Sequence, residues 1–465
     1  MAQAGGQLRH QVLDRPHHLA AIPRYDRPAA PVPASWSQVE GASAGQVDAR
    51  AAADTPWQSF FSDPQLRAVI DLALVNNRDL RVATLAVERA QALHRIQGSG
   101  LYPGIGVLAA GDKTRIPEKI AEDGVAYDSE QYSVHVGTMA WELDLFGRIR
   151  SQKAAALQQY LATRAGRRAA QVSLVAAVTA TYLAVAADAE ELGLSQATLE
   201  SQEASLALLR RSSDAGIASD LDVSRVESQV ETARNAVARW RGQLAVARAA
   251  LDLLAGAPVP PELLPERLGL AAARALSPGL PSDVLLSRPD VLAAEHQLMA
   301  ANANIGAARA AFFPRISLTA ALGTLSPQLS SLFASGTRTW TFAPQATAPL
   351  WAGGYQRANL RLAKVERQIA VAQYEKAIQS AFAEVCDALS LRTTLIEQRE
   401  AQEALARALD RPPTTVEARP PLRRATTLSA AYGGRGELVD PEPADARLEP
   451  GLAPARRFAT SVANS

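Results

Sequence analysis

One cysteine, Cys386, stands in 465 residues, so no disulfide can form within the chain. It lies in a helical pattern beside Val385 and Leu389, where a small buried side chain fits better than a reactive thiol. Aromatic residues make up only 5%, few for a compact mixed core, whereas alanine is plentiful and suits close helix–helix contact. Neither sign of charge prevails, with 48 basic and 47 acidic residues, so no basic field favours nucleic acid. No run of eighteen apolar residues occurs, which excludes a membrane-spanning helix but not the short alternating strands of a β-barrel. The first twenty residues lack the apolar core of a signal peptide. Such a chain is either soluble and cytoplasmic or short of its true start.

Catalytic, metal and cofactor motifs are equally lacking. The six histidines, at positions 10, 17, 18, 94, 135 and 296, show no metal-ligand spacing. Glu295-His296 has no second histidine one turn away and reads as structural. No local Ser, His and Asp arrangement suggests a nucleophile, and Gly353-Gly354 is not followed by the GK[ST] of a phosphate loop.

What is present is organised around YSVHVGTMAWELDLFGRIR (132–150). Tyr132, Val134, Val136, Thr138 and Ala140 alternate with Ser133, His135, Gly137 and Met139, which predicts a strand with one apolar face. The pattern changes at Trp141, and Trp141, Glu142, Leu143, Phe146 and Gly147 mark the passage into a helix over 147–213. In that helix Leu174, Val178, Thr181, Val185, Leu192, Leu199, Leu206 and Leu209 share one track. After a turn at 214–220 the track is answered by Val223, Val226, Val230, Ala233, Val237, Trp240, Leu244, Ala247, Leu251 and Leu254, spaced alternately three and four. That spacing predicts an antiparallel coiled coil rather than an ordinary amphipathic pair.

The chain also repeats itself. Residues 77–110 align without gaps on 288–321: Asp79 on Asp290, Ala83 on Ala294, Pro103 on Pro314 and Ile105 on Ile316. Each copy predicts a helix, two strands and a long helix, the second long helix running over 355–410. The first strand is expected around Ile105, Val107 and Ala109, with a charged, turn-like stretch at 112–130; in the fourth, Trp340, Phe342 and Pro344 alternate with Thr341, Ala343 and Gln345. By this alternation Ile105, Val107, Val134, Val136, Ile316 and Leu318 belong to an apolar face, and Ser133, His135, Ser317 and Thr319 to a polar one. The expected divisions are an extended Pro- and Ala-rich lead-in (1–62), a first repeat (63–256), a connector (257–287), an incomplete second repeat (288–410) and an irregular tail (411–465). The tail has the look of a shifted reading frame, because paired prolines and scattered arginines replace the return helix that the second copy needs. Leu360, Ala363, Ile369, Ala372 and Leu389 would then lack a partner.

At Arg288, Pro289 and Asp290, and on through Phe313 and Pro314, the sequence resembles the bacterial outer-membrane efflux channels, TolC-like proteins of the OprM-like branch. WELDLFGRIR (141–150), QYEKAIQSAF (373–382) and GIASDLDV (216–223) carry the same resemblance, which covers roughly 22–411. It implies an α+β membrane protein, a homotrimer in which each protomer gives four strands to a shared twelve-stranded barrel and long helices to a periplasmic tunnel. It further implies a passive conduit for small molecules in multidrug efflux, contacts with outer-membrane lipid, a periplasmic adaptor and an inner-membrane pump, and a location in the outer membrane with a periplasmic extension. The lipid-anchoring cysteine usual before the segment matched by Ile22-Pro23-Arg24-Tyr25 has no counterpart here.

The turn is the expected adaptor surface: Gly216, Ile217, Ala218, Ser219, Leu221 and Asp222, with Asp220 capping the return helix and Asp214 and Asp220 as aperture carboxylates. The competing readings are a soluble coiled-coil scaffold and a truncated, non-functional channel. A scaffold has no use for two hairpins with one apolar face.

Overall fold

A computed structural model describes residues 22–34, 56–265 and 282–409. The tail, 1–21 and 35–55 of the lead-in and 266–281 of the connector lie outside these residues; the connector's described parts include the turns Pro261–Leu263 and Ser282–Ser287.

A short helix α1 (Trp57–Phe60) precedes α2 (Pro64–Asn76) and α3 (Arg78–Ser99). The hairpin of β1 (Gly106–Ile116) and β2 (Tyr127–Leu143) follows. Then come α4 (Arg148–Asp214), returning through α5 (Asp220–Ala255), and α6 (Pro289–Ala310). The hairpin of β3 (Arg315–Ser326) and β4 (Arg338–Thr347) leads into α7 (Tyr355–Leu409). At ~1.5 Å per residue α4 is about 100 Å long.

The repeat is structural. The 22-residue helices α3 and α6 start and stop at equivalent positions of the ungapped alignment. Both are preceded by a tie to a neighbouring helix. Asn77 caps α3 by accepting from the Leu80 amide at 2.8 Å, and its own amide donates to the Leu254 carbonyl at 2.9 Å. Its counterpart Arg288 is buried and donates to Glu384 on α7 at 2.8 Å and to Asp290 at 2.9 Å. Pro289 then takes the first helical position, where its missing N–H costs nothing.

The coiled coil forms as the spacing requires. Every one of the ten α5 positions is buried or half-buried, as are all eight on α4. Arg210–Glu227 at 2.7 Å and Arg234–Glu203 at 2.8 Å join the two helices across the seam and fix them antiparallel. Part of α4 is apolar enough by composition for a membrane helix although no unbroken apolar run exists, and about half of it is buried within the protein. Leu174, Val178 and Val185 belong to a core shared with Val69 and Ile70 of α2 and Leu251 of α5.

Four expectations need correction. The 112–130 stretch is not all turn: β1 continues to Ile116 and β2 begins at Tyr127. Its charges pair across the strands, Lys113 with Glu130 at 2.5 Å and Arg115 with Asp128 at 3.1 Å. Ile105 lies one residue outside β1. The helical pattern that the sequence carries from Pro64 to Gly98 is two helices, broken at Asn77, which ends one and caps the next. Ala140 is not simply on the apolar face. The register shifts between Thr138 and Trp141, Ala140 adopts φ 50°, and its N–H donates to Thr319 Oγ1 at 3.1 Å.

That bulge places one extra residue opposite β3 and inverts the phase of β2. Trp141 and Leu143 therefore join Val134 and Val136 on one face, opposite Leu318 and Ile316. The same face carries Val107, Leu322, Trp340 and Phe342; the other carries Ser133, His135, Ser317, Thr319 and Gln345.

On α7, Ala363 is buried and Leu360 and Leu389 are half-buried, whereas Ile369 and Ala372 are exposed. Every residue over 393–408 is exposed.

The lead-in is tied down over 22–34. Arg27 donates twice to Glu295 on α6, at 2.6 and 2.7 Å, and Tyr25 donates to the same carboxylate at 3.2 Å. Asn302 donates to the Pro23 carbonyl at 2.8 Å. Glu295 is thus structural, as expected of the pair, and His296 meets Gln158 at 2.8 Å. Burial pushes the His296 imidazole below its usual value. Removing Arg27 strands a buried carboxylate, although Arg27 itself is half exposed. We predict that Arg27→Ala costs about 1–3 kcal/mol and frees the segment. The check is thermal melting together with trypsin cleavage at Arg24, which should accelerate in the variant.

Candidate functional site

Two regions gather the residues singled out in the sequence: the turn between α4 and α5, and the junction below the sheet.

The turn is closed by main-chain hydrogen bonds. Gly216 N–H donates to the Ser213 carbonyl and Ile217 N–H to the Ser212 carbonyl, both at 2.8 Å. This Schellman pattern needs a left-handed residue, and Gly216 supplies it with φ 70°. The residue after the glycine commonly packs back on its helix. Here that residue, Ile217, is 83% exposed, and Leu221 is 62% exposed.

The return helix is capped by Ser219, not by Asp220, which is its first helical residue. Ser219 Oγ accepts from the Asp222 N–H at 3.2 Å and donates to Asp222 Oδ2 at 2.6 Å. Sequence alone favours either residue, since both serine and aspartate cap well; the choice turns on the third helical residue, Asp222, answering back as in a capping box. Hydrogen bonds from the Ser219 hydroxyl and then its backbone N–H hold the Asp222 carboxyl below the usual range. Asp214 and Asp220 are exposed on either side of the turn, Ala218 is half-buried, and all the expected tip residues are brought together.

At the junction, four residues separate β2 from α4. Gly147, at φ 77°, starts the helix without a side chain to cap it. Asp144 substitutes, accepting from the Ile149 N–H at 3.0 Å and the Arg150 N–H at 2.8 Å. Glu142 receives both arms of Arg148, at 2.8 and 2.6 Å, and lies 3.4 Å from Arg315 at the foot of β3. Phe146 stacks on Phe313, centroids 4.8 Å apart, so the two repeats meet here. Beneath the sheet these groups enclose a cavity of about 420 Å³, reached also by Pro314, Pro349 and Tyr355. Sequence reasoning marked Glu142 and Phe146 but missed Asp144, Arg148, Arg315 and Phe313 as partners. The signal for Asp144 and Arg148 is two acid–base pairs, each six residues apart across Gly147, Glu142 with Arg148 and Asp144 with Arg150; Arg315 and Phe313 need the fold. Arg288, Pro289 and Asp290 lie apart, at the start of α6, while Pro314 reaches the junction.

Among the described residues no group of three or more His, Cys, Asp or Glu could hold a metal ion.

The capping box carries a pH dependence. Since Asp222 is held below its ordinary value, its contribution is present above about pH 4 and is lost as pH falls through the lowered value. Amide exchange at 221–223 should quicken several-fold in Ser219→Ala at neutral pH, and in the parent only under acid conditions. Equal protection in parent and variant at neutral pH would contradict the cap.

Comparison with known proteins gives a consistent result. Residues 69–257 and 280–419 match the family model described as outer membrane efflux protein. The toluene efflux pump outer membrane protein TtgC of Pseudomonas putida is 44% identical over 388 residues, 83% of this chain and 80% of that protein. Outer membrane protein OprJ of Pseudomonas aeruginosa is 44% identical over 387 residues, covering 83% and 80%. The crystal structure of the open state of the Neisseria gonorrhoeae MtrE outer membrane channel matches with a TM-score of 0.74 at 37% identity, covering 84% of this chain and 85% of that one.

Proposed function

Starting from the fact that the chain belongs to the outer membrane efflux protein family, as an outer-membrane component of an efflux pump, we propose how its parts divide the work. Three copies close one barrel, the polar faces of the strands line a passive conduit, and the turn at Gly216 meets a periplasmic adaptor. An inner-membrane pump supplies the energy, and small apolar or amphipathic molecules, such as the toluene in the relative's name, are the cargo. The chain itself performs no chemistry in this reading.

The observation that carries it is the sheet. Its order is β1-β2-β3-β4, every neighbouring pair is antiparallel, and β1 and β4 are left as edges among the described residues. Open edges do not occur in hydrocarbon, where each bare N–H and C=O costs several kcal/mol. The strands have 11, 17, 12 and 10 residues, long enough to cross a bilayer when tilted. Val107, Val136, Trp340 and Phe342 are exposed on the apolar face, as lipid contact requires. Beyond Gly111 and Tyr132 that face changes to the ion pairs of Lys113 and Arg115, which suits the water boundary.

At the far end of a helix about 100 Å long, Ile217 and Leu221 offer an apolar point ringed by acid groups. Such a point suits a helical hairpin of the adaptor with apolar contacts at its own turn. Three copies would also bring Asp214 and Asp220 around one aperture, where carboxylates favour cations.

A charge on the lipid face near the midplane costs about 2–4 kcal/mol. Val136→Lys should therefore block insertion into the outer membrane, while His135→Lys, one residue away on the polar face, should insert normally; equal insertion of both contradicts the assignment of faces. At the turn, Gly216→Pro and Leu221→Asp should abolish efflux of a toxic substrate by cells without lowering the amount of assembled protein. Efflux that survives both changes removes the turn as the partner surface.

A further inference from the structure

The sheet ends in two bare edges, and the direction of their main-chain groups can be read from a few contacts. The Leu325 N–H donates to the Thr337 carbonyl at 2.9 Å, at the turn end of the β3–β4 ladder. Hydrogen-bonded pairs alternate along an antiparallel ladder, so the odd-numbered residues of β4 bond to β3. Its even-numbered residues, Arg338, Trp340, Phe342, Pro344 and Ala346, turn their main-chain groups outward. Pro344 agrees with this, because an outward edge position is where a strand tolerates a missing N–H.

On β3 the even-numbered residues then face β2. A Cβ on Gly137 would lie 2.1 Å from the Ala320 carbonyl oxygen, and one on Gly323 would lie 2.0 Å from the Val134 carbonyl oxygen, so both oxygens point between β2 and β3. The odd-numbered residues of β2 are left to bond β1. On the other edge Val107, Ala109, Gly111, Lys113 and Arg115 therefore turn outward. Each edge thus offers five residues, and by register all ten side chains lie on the apolar face and its charged rim.

Stagger decides which residue meets which. Ala109, Val134, Thr324 and Arg338 stand opposite one another in a row across the four strands. Four strands about 4.8 Å apart, tilted by about 35–45°, shift the next copy by about four to six residues of ~3.3 Å each. Only odd-numbered residues of β1 face outward, so Arg338 meets the residue four or six from Ala109. In one direction these are Ile105 and Pro103, both outside β1, and nearly all of both edges would stay bare. In the other they are Lys113 and Arg115. Both are basic, so charge does not choose between the two shifts. A shift of six pairs all five residues of each edge. A shift of four leaves Arg115 over and sets Ala346 against Ile105, outside the strand.

We propose that copies of this chain join through the six-residue register, β4 of one against β1 of the next. Arg338 then stands opposite Arg115, Trp340 opposite Lys113, Phe342 opposite Gly111, Pro344 opposite Ala109 and Ala346 opposite Val107. This rests on the reading that three copies close one barrel. Gly111 is the socket of the seam. A Cβ there would lie 3.1 Å from the Tyr132 ring, which covers the bare glycine from one side, and Phe342 of the next copy covers it from the other. Pro344 withholds a single bond, the one to the Ala109 carbonyl. Like charges directly opposite each other oppose pairing. Arg338 and Arg115 meet at the charged rim, where Asp128 already bonds Arg115 at 3.1 Å, so main-chain bonds and rings rather than charge hold the seam.

The test is disulfide formation by the full-length protein in outer membranes, in a Cys386→Ser background. Partners in such a ladder have Cα atoms about 5.5 Å apart, within disulfide reach, whereas a slip of two residues sets them about 8–9 Å apart, beyond it. β1 and β4 lie at opposite edges of one copy, so any bond joins two copies. Under mild oxidation Ala109→Cys with Pro344→Cys should link chains in twos and threes on a denaturing gel. The yield should be about tenfold above that of Ala109→Cys with Phe342→Cys or with Ala346→Cys. Val107→Cys with Ala346→Cys reports the same register with the proline intact, and decides the matter if the first pair does not reach the membrane. Strongest linkage of position 109 to 342 or 346 overturns the register and leaves the shared barrel standing. No linkage in any pair shows that the edges do not meet, and the barrel reading falls with the register.

Discussion

The structure depends on two strand edges that one chain cannot satisfy. β1 and β4 each present a row of main-chain donors and acceptors, and they bound a sheet whose apolar face suits lipid. Because four strands alternate in direction, β4 of one copy is antiparallel to β1 of the next, so copies can join without breaking the pattern. Closure into a ring abolishes the edges, and the membrane makes closure obligatory rather than merely favourable. Everything below the sheet follows from holding such a ring above a long tunnel. The Glu142–Arg148 and Asp144 contacts turn strand into helix within four residues, and the Phe146–Phe313 stack sets both repeats at one height.

The two repeats share a plan but meet their neighbours differently. In each, the residue before the 22-residue helix ties it to another helix, yet Asn77 does so through a neutral amide and Arg288 through a buried charge shared by Asp290 and Glu384. The first repeat also covers its own long helix, since α5 lies along α4 and buries the heptad track. The second contributes α7, covered by α6 and the lead-in near Tyr374 and bare over 393–408. The lead-in is therefore more than a tether: its arginine and tyrosine neutralise and bond Glu295, at the heart of that second core.

Much of this was legible in the sequence, and the limits have physical causes. The heptads of α4 and α5 could be read because one stripe packs on one partner, and the period survives undisturbed. The repeat could be read because helix, proline and strand recur in order. The strand ends could not: Lys113, Arg115, Asp128 and Glu130 look like loop residues until their cross-strand partners are known. The bulge was visible only as a change near Trp141, since its phase depends on Ala140 taking a left-handed backbone that alanine seldom adopts. Ser219 and Asp220 compete as caps by chemistry alone, and Asp222 decides between them. The strap at Tyr25 and Arg27 spans some 270 residues to Glu295, a distance no local pattern records.

The central claim is that the four-stranded sheet is one third of a closed barrel. Native mass spectrometry of the full-length protein, released from outer membranes in mild detergent, tests it most directly. The account predicts a particle of three chains that persists until the sheet unfolds. A folded single chain that keeps its strand signal in the membrane, or a particle of two or four chains, would contradict it.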